Sequence, residues 1–391
     1  MAGPDDDAGR PVVVIGNFDG VHRGHLAVLA AARGLAGAGP VVAVTFEPHP
    51  LAVLRPDHAP AVLTPLAEKL RLLRAAGADD VLVLVFDAAL AGWSPTEFVQ
   101  RVLVDRLRAR VVVVGENFRF GHRAAGDVAL LRRLGGAAGF AVVPAALATV
   151  PLGPRVSSSL IRERLAAGDV EAARAALGRP FRLFGRVVRG DARGRELGYP
   201  TANLDVADGV VSPVAVPADG IYAVRLLRAT DLAAAAEQST VGAADQASGT
   251  ADQASGPADQ ASGTAVVEDL EPGLPATLSI GTNPTFDGLE RRIEAHVLDR
   301  DDLALYGERV ALDVVARQRA TVRFDSVDAL VDQMARDTAA TRVVLGLPGP
   351  HTARLPPRAV VDGLGDELGD GMDLRVPSAG DAAPRPAPRP A

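Results

Sequence analysis

Between residues 11 and 180, short apolar runs alternate with stretches of helical period. Pro11–Gly16 is an unbroken apolar run closed by glycine, as expected for a buried strand. His25–Ala38 follows, with Leu26, Leu29 and Ala30 at helical spacing. Val41–Phe46, Val81–Phe86 and Arg110–Gly115 predict further strands. Pro65–Ala76 predicts an amphipathic helix with Leu66, Leu70 and Leu73 on one face. Ser94-Pro95-Thr96-Glu97 predicts a helix start, with a capping serine, proline in the first turn and a box glutamate. This alternation predicts an α/β unit over 11–180: a parallel sheet with helices on both faces. From Phe181 the rhythm changes. Phe181–Val188, Gly220–Leu227, Ala276–Ile280, Arg292–Leu298 and Arg309–Ala316 read as strands, and helical period returns only at Ser326–Leu345. Residues 181–347 are therefore expected to form a small antiparallel β-barrel with a C-terminal helix.

Two stretches stand outside this plan. Arg228 and Arg291 bracket a segment without basic residues but with ten acidic ones, and it contains three copies of Ala-Asp-Gln-Ala-Ser-Gly-Thr/Pro at 244–264. Gly, Ser and Thr or Pro in every copy exclude a coiled coil, so 229–267 is expected to be a disordered acidic insertion. The tail 348–391 ends in alternating Pro, Ala and Arg and is expected to be extended and disordered.

Composition narrows the chemistry. The absence of cysteine excludes disulfides, thiolate metal sites and a thiol nucleophile. Lys69 is the sole lysine and sits in Glu-Lys-Leu, so no Gly-Lys-Ser/Thr phosphate loop exists. The net charge of −7 argues against general nucleic-acid binding. Leu134–Pro154 has the length of a membrane span, but its three prolines and four glycines predict a helix end, a short strand and a loop instead. No basic-then-apolar leader is visible, and the expectation is a soluble, cytoplasmic protein with no membrane partner.

The first strand runs into Gly16-Asn-Phe18-Asp19-Gly-Val-His22-Arg-Gly-His25. Glycine at the strand end lets a nucleotide approach the backbone. The two histidines fall at a helix start, where amide N–H groups and the helix dipole attract phosphate. Zinc would need a third ligand, and none is near in sequence. Thr45-Phe-Glu-Pro-His-Pro50, Gly115-Glu-Asn117-Phe-Arg-Phe-Gly121 and Ser157-Ser158-Ser159-Leu-Ile-Arg162 fit the same site, the last as hydroxyls before a helix with an arginine one turn on. Each has an ordinary structural reading on its own; Ser157–Ser159 is also a plausible plain cap.

In the second half, the glycines of Gly185–Asn203, among them Gly190 and the Gly194 that directly precedes Arg195, fit a loop around phosphates. Thr201 and Asn203 place two neutral oxygens on one side of an extended segment, a donor set that suits Mg²⁺. Ile293–Val297 alternates, so Glu294 and His296 share a face. Glu294 reads either as a base beside a nucleotide or as part of an exposed polar face.

In order, Gly-x-Phe-Asp-Gly-Val-His-x-Gly-His, Thr-Phe-x-Pro-His-Pro, Glu-Asn-Phe-x-Phe-Gly and Ser-Ser-x-x-Ile-Arg resemble the adenylyltransferase module of bacterial bifunctional riboflavin kinase/FAD synthetases. Gly-Arg-x-Leu-Gly-Tyr-Pro-Thr-Ala-Asn, Ser-Ile-Gly-Thr-Asn-Pro-Thr-Phe and Glu294-Ala-His-Val-Leu-Asp resemble its kinase module. The resemblance covers about 11–345. It implies a Rossmann-like nucleotidyltransferase domain that turns FMN and ATP into FAD, and a barrel that phosphorylates riboflavin with ATP. It implies catalytic roles for Glu294 as base and for His22, His25 and Arg162. It implies binding roles for Gly16, Phe18, Asp19, Asn117, Ser157, Ser158, Gly190, Arg195, Thr201, Asn203 and Arg319, with Mg²⁺ on Thr201 and Asn203. Departures are mild: Tyr199 stands where Phe is usual, Asn283 where Arg is often found, and Arg319-Ala-Thr lacks a following acidic residue. A kinase or an adenylyltransferase with the other module inactive is the alternative, and a non-catalytic flavin binder is a third reading. The sequence leaves the oligomeric state open.

Overall fold

The computed structural model describes residues 9–145, 155–190, 198–206, 213–228, 273–285 and 288–348. Arg195, the whole acidic insertion 229–267 and all but the first residue of the tail lie outside the described residues.

The first half is built on five parallel strands: β1 (Val12–Ile15), β2 (Val41–Glu47), β3 (Asp80–Val85), β4 (Val111–Gly115) and β5 (Ala141–Ala145). They lie in the order β3-β2-β1-β4-β5, so the order in which strands are added reverses between β1 and β4. That reversal opens a crevice beyond the carboxyl ends of β1 and β4. Helices cover both faces, which is why the central strands β1 and β4 are nearly pure valine. Val12 and Val14 pack against α1 (Arg23–Ala36) and α3 (Leu66–Ala75). Val13 and Ile15 pack with Phe98, Val102, Leu103 and Leu131 on the other face. These residues come from α5 (Pro95–Phe98), its π-helical continuation Val99–Arg106 and α6 (Val128–Ala138). Each such side chain contributes roughly 1.5–3 kcal/mol on burial. The short helices α2 (Pro50–Leu54) and α4 (Ala88–Ala91) follow β2 and β3. The capping box expected at Ser94–Glu97 is present.

One face differs from expectation. On α3 the buried positions are Glu68, Lys69, Leu72 and Leu73, while Leu66 and Leu70 are only half-buried. The helix is rotated because Glu68 and Lys69 find charged partners inside the fold. Glu68 receives two hydrogen bonds from Arg71, at 2.7 and 2.8 Å. Lys69 Nζ donates to Glu47 Oε2 at 3.2 Å and to the Phe46 carbonyl at 3.3 Å.

The second half is a closed antiparallel barrel, in the order β10-β7-β6-β11-β8-β9. Its strands are β6 (Phe181–Val188), β7 (Ala202–Asp205), β8 (Gly220–Arg228), β9 (Leu274–Thr285), β10 (Gly288–Val297) and β11 (Arg309–Arg319). Alternate residues such as Leu183, Leu204, Val224, Leu278, Ala295 and Leu312 fill its interior. The C-terminal helix α9 (Val327–Val344) is held to the outside by Arg319–Asp337 and Arg342–Asp299 ion pairs. Two helices lead into the barrel, α7 (Ser158–Ala166) and α8 (Val170–Leu177). Their Ile161, Leu165, Val170 and Leu177 belong to the same buried cluster as the barrel interior. A second tie is ionic. Arg182 on β6 forms a two-point pair with Asp313 on β11 at 2.7 and 2.8 Å and approaches Glu68 of α3 at 3.5 Å.

Candidate active sites

The turn from β1 to α1 occupies the crevice. It is a strained turn: Phe18 has φ +51°, Gly20 φ +88° and Val21 φ +38°. Such a φ is costly for a β-branched residue and persists only where neighbours impose it. Here the neighbours are identifiable. The buried Asp19 carboxylate accepts from the backbone N–H groups of Leu63 and Thr64 at 3.0 and 3.1 Å, and it pairs with Arg162 of α7. Ser158 Oγ donates to the Asp19 carbonyl at 2.8 Å. Thr45 Oγ1 donates to the Asn17 carbonyl at 3.1 Å. Three of the predicted segments therefore meet at this turn.

His22 is 5% exposed and caps α1, its Nδ1 accepting the His25 backbone N–H at 3.3 Å. An accepting Nδ1 puts the ring proton on Nε2. The two imidazoles stack, with centroids 3.7 Å apart and planes 13° apart. Two stacked cations would repel, and both rings are neutral. Burial lowers the His22 pKa to about 4, with cationic Arg179 and Arg162 adding to the effect and a backbone hydrogen bond opposing it. Burial also holds His25 well below the usual range, followed by the influence of His22, Arg179 and Lys69. The His25 Nδ1 is shut off from solvent with no hydrogen-bond partner among the described residues. The pair thus presents uncharged rings, and His22 an N–H donor at Nε2.

The remaining predicted residues divide. Gly16 directly follows β1, and an added Cβ there would touch the Phe18 ring at 3.2 Å. Ser157 caps α7 by accepting the Leu160 N–H at 3.2 Å, and Ser158 serves the turn. Asn117 is exposed in the turn after β4. Arg162 does not point freely into the crevice; besides Asp19, its Nε donates to the Ala61 carbonyl at 2.6 Å. Two residues join that the sequence did not single out. His49 caps α2 through Nδ1, leaving Nε2 3.5 Å from Asn17 Nδ2. Arg179, in the segment between α8 and β6, donates to the carbonyls of Gly20 and Val21 at 2.8 and 3.3 Å. His49 lay inside a motif noted for its order in the chain. Arg179 carried no local signal, because its partners are more than 150 positions away in sequence.

The second site sits on the barrel wall. Asn203 on β7 is register partner to Glu294 on β10, and Ala202 to Ala295. Paired residues point to the same face, so Asn203 and Glu294 stand side by side outside while the alanines fill the interior. Thr201 directly precedes the strand. Gly190 closes in from the end of β6: a Cβ there would lie 2.2 Å from Asn203 Nδ2. His296, two residues from Glu294, anchors the approach to β7 through Nδ1 and the Pro200 carbonyl, 2.9 Å apart. Burial lowers its pKa. An open pocket beside Thr201 is lined by Val187, Ala295, Val297, Asp301, Leu305 and Tyr306. Arg319 lies at the end of β11, with its guanidinium held by Asp337 at 2.8 and 2.5 Å. The donors gathered by Thr201, Asn203 and Glu294 are all hard oxygens, a set that fits Mg²⁺ and not a soft metal. Among the described residues no group of three or more His, Asp or Glu side chains converges on a metal position, and no helix is long and apolar enough to cross a membrane.

Comparison with known proteins matches both halves. The family models for FAD synthetase and riboflavin kinase match residues 5–160 and 177–345. The bifunctional riboflavin kinase/FMN adenylyltransferase of Escherichia coli strain K12 is 37% identical over 344 residues, which cover 87% of this chain and 94% of that protein. That of Pseudomonas fluorescens is 36% identical over 345 residues, with the same coverage of 87% and 94%. A solved structure described as a macrolide-efflux protein from Streptococcus pneumoniae superposes with a TM-score of 0.67 and 29% identity, covering 88% of this chain and 95% of that one.

Proposed function

The chain belongs to the family of bifunctional riboflavin kinase/FMN adenylyltransferases, and we propose that residues 181–347 carry the first activity and residues 11–180 the second. In the barrel, the 5′-hydroxyl of riboflavin attacks the γ-phosphate of ATP, giving FMN and ADP. Glu294 takes the hydroxyl proton. Thr201 and Asn203 would hold Mg²⁺, which when bound neutralises phosphate charge. The pocket beside Thr201 has apolar walls in Val187, Ala295 and Leu305 that suit a purine. The single observation that carries this reading is the register that sets Glu294 directly opposite Asn203.

In the first half, the FMN phosphate attacks the α-phosphate of a second ATP and releases pyrophosphate. The nucleophile is already ionised, so no strong base is required. Neutral His22 and His25 donate hydrogen bonds to the phosphates at the start of α1, where the helix dipole adds to their effect. Arg162 acts through Asp19, fixing the turn, and offers its remaining Nη1 to phosphate. Gly16 and Phe18 border the nucleotide, and Asn117 orients flavin or nucleotide from the end of β4. Gly190, Arg195 and Arg319 are assigned to the kinase substrates. The reading implies small-molecule substrates only and a cytoplasmic setting.

Incubating the purified protein with riboflavin, ATP and Mg²⁺, and resolving flavins by chromatography, tests the assignment. FMN is expected first and FAD after it. FMN without FAD, or FAD only from supplied FMN, would reduce the protein to one activity.

A further inference from the structure

We propose that Arg179 is a positioning residue for adenylyl transfer, which makes the first site dependent on the segment that leads into the barrel. The inference rests on the assignment of FMN adenylylation to the β1–α1 turn. That turn carries Phe18, Gly20 and Val21 at positive φ and delivers His22 to the start of α1. A valine at φ +38° does not hold itself there. The side of the turn formed by Asp19 is fixed from within the first half, by Leu63, Thr64 and Arg162. The opposite side is fixed by Arg179, whose one planar guanidinium holds the carbonyls of both Gly20 and Val21. Those two peptide groups immediately precede His22, so a change in their tilt moves the imidazole.

The backbone that carries Arg179 runs directly into the second half. Arg179 lies two residues before Phe181, whose ring is buried in the barrel core. The surrounding charges are Glu68, Arg182, Arg71 and Asp313. Of these, Arg182 and Asp313 belong to barrel strands and are locked to each other. Burial lowers the Arg179 pKa to about 10, which still leaves it charged at neutral pH. That charge also helps to keep His22 and His25 neutral.

The test uses the full chain, in which riboflavin phosphorylation reports on folding in the same sample. Arg179→Ala should lower kcat for FMN adenylylation by roughly 10- to 100-fold, the scale expected for a displacement of about 1 Å at a reacting centre. Riboflavin phosphorylation should be unchanged. Guanidinium ion at millimolar concentration should restore part of the lost rate without raising the melting temperature. Arg179→Lys, which can reach one carbonyl but not both, should fall between. An unaltered adenylylation rate in Arg179→Ala would overturn the inference. So would parallel loss of both activities with a lowered melting temperature and no guanidinium rescue, since that is the signature of a merely structural residue. Absence of FAD formation from FMN in the unaltered protein would instead overturn the underlying assignment, and the inference with it.

Discussion

One methyl group at Gly190 should slow one reaction strongly and spare the other. A Cβ at this position would stand 2.2 Å from Asn203 Nδ2, 2.5 Å from its Cγ and 2.8 Å from its Oδ1, all inside the 3.0 Å limit that real Cβ contacts respect. The Asn203 backbone cannot withdraw, because it is paired with Val188 on one side and Glu294 on the other. Relief has to come from rotation of the side chain, at a cost of about 0.5–1.5 kcal/mol for an off-rotamer position. That cost should lower the melting temperature by only a few degrees. Its catalytic effect is larger, because the amide oxygen proposed to hold Mg²⁺ leaves its place beside Glu294. A misplacement of about 1 Å at such a centre costs roughly 100-fold. In Gly190→Ala, riboflavin phosphorylation should therefore fall by about that factor, with a raised Mg²⁺ requirement. FMN adenylylation should be unchanged. The assay is timed chromatography of the flavins from riboflavin and, separately, from FMN, alongside a thermal melt. Full kinase activity in a normally folded Gly190→Ala protein would refute the argument that Asn203 must stand where it does.

Three further outcomes are expected. His22 folds with its pKa lowered from 6.5 to about 4 by burial, so between these values the unfolded chain binds a proton that the folded chain refuses. Its contribution to stability is complete above pH 6.5 and falls by about 3 kcal/mol as the pH drops to 4; denaturant titrations of His22→Gln should show a shallower slope across that window. Asp19→Asn leaves the half-buried Arg162 without its counter-charge, at a cost of about 3 kcal/mol measurable by denaturant unfolding, and should abolish FMN adenylylation first. Deleting Ala243–Thr264 should leave both activities and the melting temperature nearly unchanged, since the repeat has no large apolar side chain and loop closure changes by only about 0.6 kcal/mol per doubling of length.

Much of the fold was legible because it is written in local pattern. The apolar, valine-rich runs of β1, β2 and β4 announced strands buried on both faces, and the capping residues Ser94, Ser157 and Ser326 marked helix starts. What local pattern missed depends on distant partners. The short strand β7 exists because β6 and β10 flank it. Strand β9 extends five residues beyond the apolar run Ala276–Ile280, because β10 pairs with it as far as Thr285. The face of α3 was misread because Glu68 and Lys69 count as polar in a helical pattern, although each is buried against a charge supplied elsewhere. The sites follow the same division. The motifs singled out His22, His25, Thr201, Asn203 and Glu294 as candidates. They did not reveal that His22 caps its own helix, that Arg162 is bound to Asp19, or that Arg179 grips the turn. Those facts lie in contacts between residues more than a hundred positions apart, except for the His22 cap, which required knowing that the ring folds back onto His25 N–H.

The central claim is that two separate sites on one chain carry out consecutive reactions, and its most direct test is a crossed pair of variants. Glu294→Ala should lose riboflavin phosphorylation by the order of 10²–10⁴ while converting supplied FMN to FAD at the unaltered rate. The double variant His22→Ala, His25→Ala should do the converse, accumulating FMN from riboflavin with adenylylation reduced by 10²-fold or more, on the order expected for lost transition-state hydrogen bonds. Loss of both reactions in either protein, with the fold intact by thermal melt, would contradict the division of labour between barrel and crevice.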